Sequence, residues 1–256
     1  MAKLFVVSDI HGFYDEMMKA LDEAGFDPSN EEYWLISCGD HFDRGPKNKK
    51  VLDYLMGLER KVLVRGNHED LFEDLCHRRY PYQYDVSNGT YDAVCELGVY
   101  GYTDFIGACD LAMQVVRPFF DSMVDYFETE NYIFVHSWIA VKNKDGLPFN
   151  YTRNRDFEFD PDWRNADALA WQDAKWGNPL DMAMRGLTPD KCVVAGHWHC
   201  SAGWAMEKST SEFGEDAIFE PYYYEDKLIM IDACTAHTGK VNCLVLEDDF
   251  INAKTG

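Results

Sequence analysis

A layered α/β fold is what this 256-residue sequence predicts, on three observations. Apolar, β-branched runs alternate with helical patterns through the first 65 residues, and such runs return after residue 130. Five polar segments each sit where an apolar run gives way to Gly or to a helical pattern: Asp9-x-His11, Gly39-Asp40-x-x-Asp43-Arg44-Gly45, Gly66-Asn67-His68-Glu69, His136, and Gly196-His197-x-His199. Side chains at the C-terminal ends of strands converge on one edge of a sheet, so the series predicts a common site.

Residues 3–8 predict a buried strand with Val6 and Val7 in the core. Residues 13–24 predict a helix, with Phe13, Met17, Met18 and Leu21 near helical spacing. A second strand follows at 33–37, then a helix over 46–58 opened by Pro46, whose fixed φ suits a first turn, then a third strand at 61–64 ending at Arg65. From 70 to 130 the pattern turns mainly helical, broken by the Tyr/Pro-rich 80–84 and by Ser87-Asn88-Gly89, and it is expected to be a helical insertion. Strands are expected again at 132–136, 191–195, 227–232 and 241–247. Residues 143–165 and 201–226 read as long polar or aromatic connections, and connections of that length in a compact domain are often functional.

One domain spanning residues 1–256 is expected, with hydrophobic residues at 46% arguing against disorder. A formal charge of -21 opposes an extended grip on a nucleic-acid polymer or an anionic membrane. It leaves room for a small phosphorylated substrate, because salt confines surface charge to roughly 8 Å while an ion in a cleft acts at contact distance. The eight cysteines form no C-x-x-C pair and read as reduced core thiols. With no signal-peptide pattern and no apolar run approaching ~18 residues, a cytoplasmic protein is expected; the sequence leaves its oligomeric state open.

The polar segments suit a paired metal centre. At alternate positions of a strand end, Asp9 and His11 can bind one cation together. Asp40 follows Ser37-Cys38-Gly39, where its carboxylate can bridge two ions ~3.5–4 Å apart. Asn67, His136 and His197 would supply an amide oxygen and two imidazoles to the second ion. Nitrogen and oxygen donors without thiolate favour manganese, with iron or zinc as alternatives. Such ions bring a bound water's pKa to about 7, giving hydroxide for in-line attack on phosphorus. Arg44 has the planar fork that suits two phosphate oxygens, His68 could protonate the leaving alkoxide, and Asp43 is the carboxylate that could support that histidine.

Gly39-Asp40-His41-Phe42-Asp43-Arg44-Gly45 and Arg65-Gly66-Asn67-His68-Glu69 resemble the G-D-x-x-D-R-G and R-G-N-H-E motifs of phosphoprotein phosphatases, a branch of the calcineurin-like metallophosphoesterases. The likeness continues through His136, His197, Ile231-Asp232-Ala233 and Gly239-Lys240-Val241, and short bacterial and phage members look closest in length. It implies a β-sandwich flanked by helices, with the dinuclear site on one edge. It also implies that Asp9, His11 and Asp40 hold the first metal and that Asp40, Asn67, His136 and His197 hold the second. Arg44 would grip phosphate, and His68 with Asp43 would act as acid.

Two departures stand out. Many short members carry W-x-R ahead of the final metal histidine, whereas Trp171-Gln172-Asp173 stands here, leaving Lys175, Arg185 or Arg164 as candidate replacements. His199 completes a G-H-x-H pattern, which resembles the wider superfamily, where the second histidine can join the first metal. The expected activity is a metal-dependent phosphomonoesterase resembling serine/threonine protein phosphatases, acting on a phosphorylated protein or a small phosphoester. The alternative is a hydrolase of dinucleoside polyphosphates or related nucleotides, favoured by the missing arginine. A third reading is an inactive module that binds phosphorylated partners. His41, His77 and His237 have no ligand spacing and read as ordinary hydrogen-bonded histidines.

Overall fold

The computed structural model describes residues 2–143, 157–250 and 254–255. Its strands are β1 Ala2–Val7, β2 Tyr33–Cys38, β3 Lys61–Val64, β4 Tyr126–Glu128, β5 Tyr132–Val135, β6 Lys142–Asn143, β7 Phe157–Glu158, β8 Cys192–His199, β9 Tyr222–Tyr224, β10 Leu228–Asp232, β11 Leu244–Asp248 and β12 Lys254–Thr255. Its α-helices are α1 Tyr14–Ala24, α2 Asn48–Gly57, α3 Asn67–Arg78, α4 Gln83–Asn88, α5 Thr90–Leu97, α6 Phe105–Phe120, α7 Ala168–Ala174, α8 Pro179–Met184, α9 Cys200–Lys208 and α10 Thr235–Thr238.

Two main sheets organise most of these elements, one ordered β11-β1-β2-β3 and the other β12-β4-β5-β8-β10-β9, while β6 and β7 pair separately. In the first, β1, β2 and β3 run parallel; in the second, β5, β8 and β10 do. Strand alternation explains the layering. Leu4, Val6, Ile36 and Val64 of the first sheet pack with Phe134, Val194, Ile229 and Ile231 of the second, forming the seam between them. The intervening Phe5, Val7, Leu35 and Leu63 face α1, α2, α3, α5 and α6. On the far side, Ile133, Val135, Val193, Ala195, Leu228 and Met230 face residues of α7, α8 and α9. The result is a β-sandwich flanked by helices, as expected. Because β1 has a core on both faces, Leu4, Phe5, Val6 and Val7 are all fully buried, each contributing roughly 1.5–3 kcal/mol by the transfer of its side chain from water.

The expected helical stretch 70–130 is α3 to α6 up to Phe120, but its last residues form β4, an antiparallel partner of β5. Three residues are too few to show a strand's period. The expected connection 201–226 begins with α9 and contains β9; Gly203 inside α9 weakens its helical signal, yet its missing side chain lets Tyr222 pack against the backbone. Of the expected connection 143–165, residues 144–156 lie outside the described residues. All eight cysteines are free thiols, five of them buried. No helix among the described residues is long and apolar enough to cross a membrane.

Candidate active site

The parallel strands deliver their C-terminal ends to one edge of the seam. Beyond β1 and β2 the chain turns sharply, and Asp9 (φ 50), His11 (φ 49), Asp40 (φ 55), Asp43 (φ 76) and Arg44 (φ 56) all adopt the left-handed region. Asp9 and His11 therefore occupy a turn rather than alternate positions of a strand. Across the seam, the pairing of β8 with β10 shifts between Met230 and Asp232, and the bulge gives His197 a φ of 64. Gly196 lies so close to Asp9 and Ser8 that a Cβ would fall 2.1 Å from the Asp9 Oδ2 and 1.8 Å from the Ser8 hydroxyl.

Asp40 is the centre of the arrangement. Its Oδ2 lies 3.7 Å from His11 Nε2, while its Oδ1 lies 3.4 Å from His136 Nε2 and accepts a bond from the His68 amide at 3.0 Å. Two trios of potential ligand atoms share it: His11 with Asp40 and His68, and Asp40 with His136 and His197. The carboxylate is held by backbone geometry and by Glu69, whose Oε2 accepts from the amides of Asp40 (3.1 Å) and Gly66 (2.7 Å). The other Glu69 oxygen meets His41 at its amide (2.9 Å) and at Nδ1 (3.1 Å). Burial opposes ionisation of Glu69, but the neighbouring His41 and these bonds hold its pKa well below the usual carboxylate range.

The imidazoles are turned for coordination. His11 Nδ1 meets the Phe42 carbonyl at 2.9 Å and His136 Nδ1 meets the Cys38 carbonyl at 2.8 Å. Donation from Nδ1 leaves each Nε2 with its lone pair toward the site, the support that metal-bound histidines ordinarily have. His136 Nε2 then faces Asn67 Oδ1 at 2.8 Å, a close approach of two acceptors that suits neighbouring ligands on an ion with bonds of ~2.1 Å. Burial and nearby positive groups push His11 and His197 well below the ordinary histidine pKa, keeping both neutral.

The carboxylates point to the same need for cations. Burial, together with Asp232, pushes Asp9 up to about 8, and burial raises Asp232 to about 7. A pocket that penalises its own anions and keeps its imidazoles neutral is one that positive ions complete. Asp9 belongs to neither close trio; its Oδ2 accepts bonds from the Ser8 hydroxyl and, at 3.0 Å, from the His197 amide.

His68 differs from the other histidines. Its Nδ1 lies 2.6 Å from Asp43 Oδ2, and its Nε2 lies 3.4 Å from Arg44 Nη2 and 3.9 Å from Asp40 Oδ2. Burial disfavours its charge, but Asp40 and Asp43 outweigh that and push its pKa up to about 9. Although it stands within ligand distance of His11 and Asp40, a protonated imidazole is a proton donor and has no lone pair at the site.

The structure thus gathers Asp9, His11, Asp40, Asp43, Arg44, Asn67, His68, His136 and His197 at one edge. It does not bring His199 into either trio. His199 Nδ1 meets Glu212 Oε1 at 2.9 Å, and its Nε2 is 3.9 Å from Asp232 Oδ2. Glu69, Thr90, Asp232 and Glu212 are the participants for which sequence reasoning assigned no role. Glu69 lay inside a motif and Asp232 in a closing strand, whereas nothing local marked Thr90 or Glu212.

A family model described as calcineurin-like phosphoesterase matches residues 2–218. Over 70 residues the chain is 47% identical to the symmetrical bis(5'-nucleosyl)-tetraphosphatase of Aeromonas hydrophila, a match covering 27% of this chain and 24% of that protein. The likeness to such curated relatives thus spans about a quarter of their length. Among solved structures, the cold-active protein-tyrosine phosphatase of a psychrophilic Shewanella aligns with a TM-score of 0.56 at 18% identity, over 100% of this chain and 80% of that one. A protein serine/threonine phosphatase from Saccharomyces cerevisiae aligns with a TM-score of 0.53 at 12% identity, over 97% of this chain and 80% of that one. At such identities these two establish the fold. Together with the family match over nearly the whole chain, they lead to one statement: this chain belongs to the calcineurin-like phosphoesterase family.

Proposed function

We propose that the chain is a dinuclear metal-dependent hydrolase of dinucleoside polyphosphates or related nucleotides. One observation carries the dinuclear reading: the two oxygens of Asp40 face imidazoles of two different groups, His11 on one side and His136 on the other. In this reading Asp9, His11 and Asp40 hold one divalent ion, and Asp40, Asn67, His136 and His197 hold the second. His199 is left to Glu212. Manganese suits these donors, with iron or zinc as alternatives. When bound, the ions supply positive charge for phosphate and an activated water for in-line attack.

The chain's own residues supply the remainder. Arg44, exposed at the rim beside His68, grips the phosphoryl oxygens. His68 donates a proton from Nε2 to the leaving oxygen, and Asp43 stabilises the charged ring through Nδ1.

The nucleotide substrate is supported by the name of the curated relatives and by the fate of the three cations offered for the missing arginine. Lys175 pairs with Asp70 at 2.6 Å, Arg164 with Glu128 at 2.7 Å, and Arg185 with Asp181 at 2.9 Å. A phosphomonoester carries about -1.5 to -2 charge, whereas a phosphoryl group within a polyphosphate chain carries one ionised oxygen, which a single arginine matches. The second reading, a phosphomonoesterase of the serine/threonine phosphatase type, is favoured by the His68–Asp43 pair, because an alkoxide needs that proton more than a phosphate leaving group does. Manganese-loaded protein assayed on a dinucleoside tetraphosphate, cyclic nucleotides and phosphopeptides separates them. The highest kcat/KM is expected on the tetraphosphate, and a preference for phosphopeptides would overturn the nucleotide reading.

A further inference from the structure

The His68–Asp43 pair has a third member contributed by the helical stretch. Thr90, fully buried at the first position of α5, donates its hydroxyl to Asp43 Oδ2 at 2.6 Å, the same oxygen that meets His68 Nδ1 at 2.6 Å. Asp43 Oδ1 is buried and has no hydrogen-bond partner among the described residues. Both groups that fix the turn of this carboxylate therefore act on one oxygen, and Thr90 is the one that is not itself part of proton transfer.

The surroundings fit a built brace. Gly89, just before Thr90, is pressed so close that a Cβ would lie 2.3 Å from the Arg44 amide nitrogen. At the other end of α5, Glu96 accepts from the amides of Asn48 (3.1 Å) and Lys49 (3.0 Å) and from Asn48 Nδ2 (2.7 Å). Asn48 in turn accepts the Asp43 amide at 3.0 Å. Helix α5 thus grips the left-handed Asp43-Arg44 turn from both ends, against the cost of holding two side-chain-bearing residues at positive φ.

We propose that Thr90 is a positioning residue for the His68–Asp43 pair, and that α5 is the brace through which the helical stretch sets the orientation of the proton donor. This rests on the reading of His68 as general acid. Removing the hydroxyl frees the carboxylate to rotate about a single remaining bond, and the ring it orients then meets the leaving oxygen less often in line.

The test uses the metal-loaded full chain with phenyl phosphate, whose leaving group needs a proton, and 4-nitrophenyl phosphate, whose leaving group needs it far less. Thr90→Val is expected to lower kcat about ten-fold on the first and by less than about two-fold on the second, with KM unchanged, and Thr90→Ser to restore both. The low-field Nδ1–H proton resonance of His68 should shift in Thr90→Val and return in Thr90→Ser. Thr90→Ala gives the same readings should the valine variant fail to fold. Equal losses on both substrates, or an unmoved resonance, would overturn the role of Thr90 while His68→Asn still shows the leaving-group selectivity. If His68→Asn shows no selectivity, the general-acid reading itself fails, and the inference with it.

Discussion

The two sides of the catalytic edge are built differently. Residues 9–69 are fixed by backbone: five non-glycine residues sit at positive φ, and Glu69 gathers the amides of Asp40, His41 and Gly66 with one carboxylate. The segment formed by residues 199–213 depends on a side-chain tether, in which Glu212 reaches from beyond α9 to His199 while Phe213 beside it is 51% exposed. Backbone-fixed groups keep their positions when a substrate arrives, whereas a tethered loop can adjust. In the proposed reading the shared carboxylate, Arg44 and the proton donor lie on the first side, and the tethered segment is left to meet the substrate.

The strongest way to break that division is Asp40→Asn. It is expected to lower kcat by more than about 10³-fold and to deplete bound manganese measured by elemental analysis. Full activity with both ions retained would remove the shared carboxylate from the scheme. Next in size is Glu69→Gln, which disrupts a buried charged cluster and should lower unfolding free energy by about 3–5 kcal/mol at pH 7, read from urea denaturation of the ion-free chain. The folded-state pKa of Glu69 is depressed, so its contribution is present above the unfolded carboxylate value of about 4.3 and is lost as pH falls through the folded value. The gap between wild type and variant should therefore close on acidification, and a gap that widened would contradict the assigned charge.

Asp43→Asn should lower kcat by about 10- to 100-fold while ion content stays intact, since the residue supports the acid through His68 and is not among the proposed ion ligands. Unchanged turnover would reject its role. The smallest effect is expected from Glu212→Gln: about a five-fold change in KM for a dinucleoside tetraphosphate, with kcat within about two-fold, as befits one hydrogen bond of about 1 kcal/mol on the adaptable side. A loss of kcat as large as that of Asp43→Asn would erase the distinction between the two sides.

Most of the first side could be read from sequence because its constraints are local. A Gly-Asp turn, an Arg-Gly-Asn-His helix start and a strand followed by Asp-x-His each carry their chemistry within a few residues. The parallel strands were equally plain, since β1, β2 and β8 are apolar on both faces. What could not be read depends on distant partners. Thr90 looks like any helix-starting residue until Asp43 lies against it, and Asp232 looks like the end of a strand until Asp9 shares its pocket. Glu212 is one acid among many in an acidic chain. The strand geometry assumed for Asp9 and His11 failed for a similar reason, because their positive φ is imposed by contacts to residues 39–45, including the His11 amide bonded to the Asp40 carbonyl.

Because the seam separates His11 and Asp40 on one sheet from His136 and His197 on the other, no early portion of the polypeptide holds a complete set. A ribosome that has released only β1 to β3 and α1 to α6 has made a scaffold that still lacks His136 and His197, and β11, the remaining strand of that first sheet, follows them. In the proposed reading the paired-ion centre would therefore form late and all at once, when the second sheet docks.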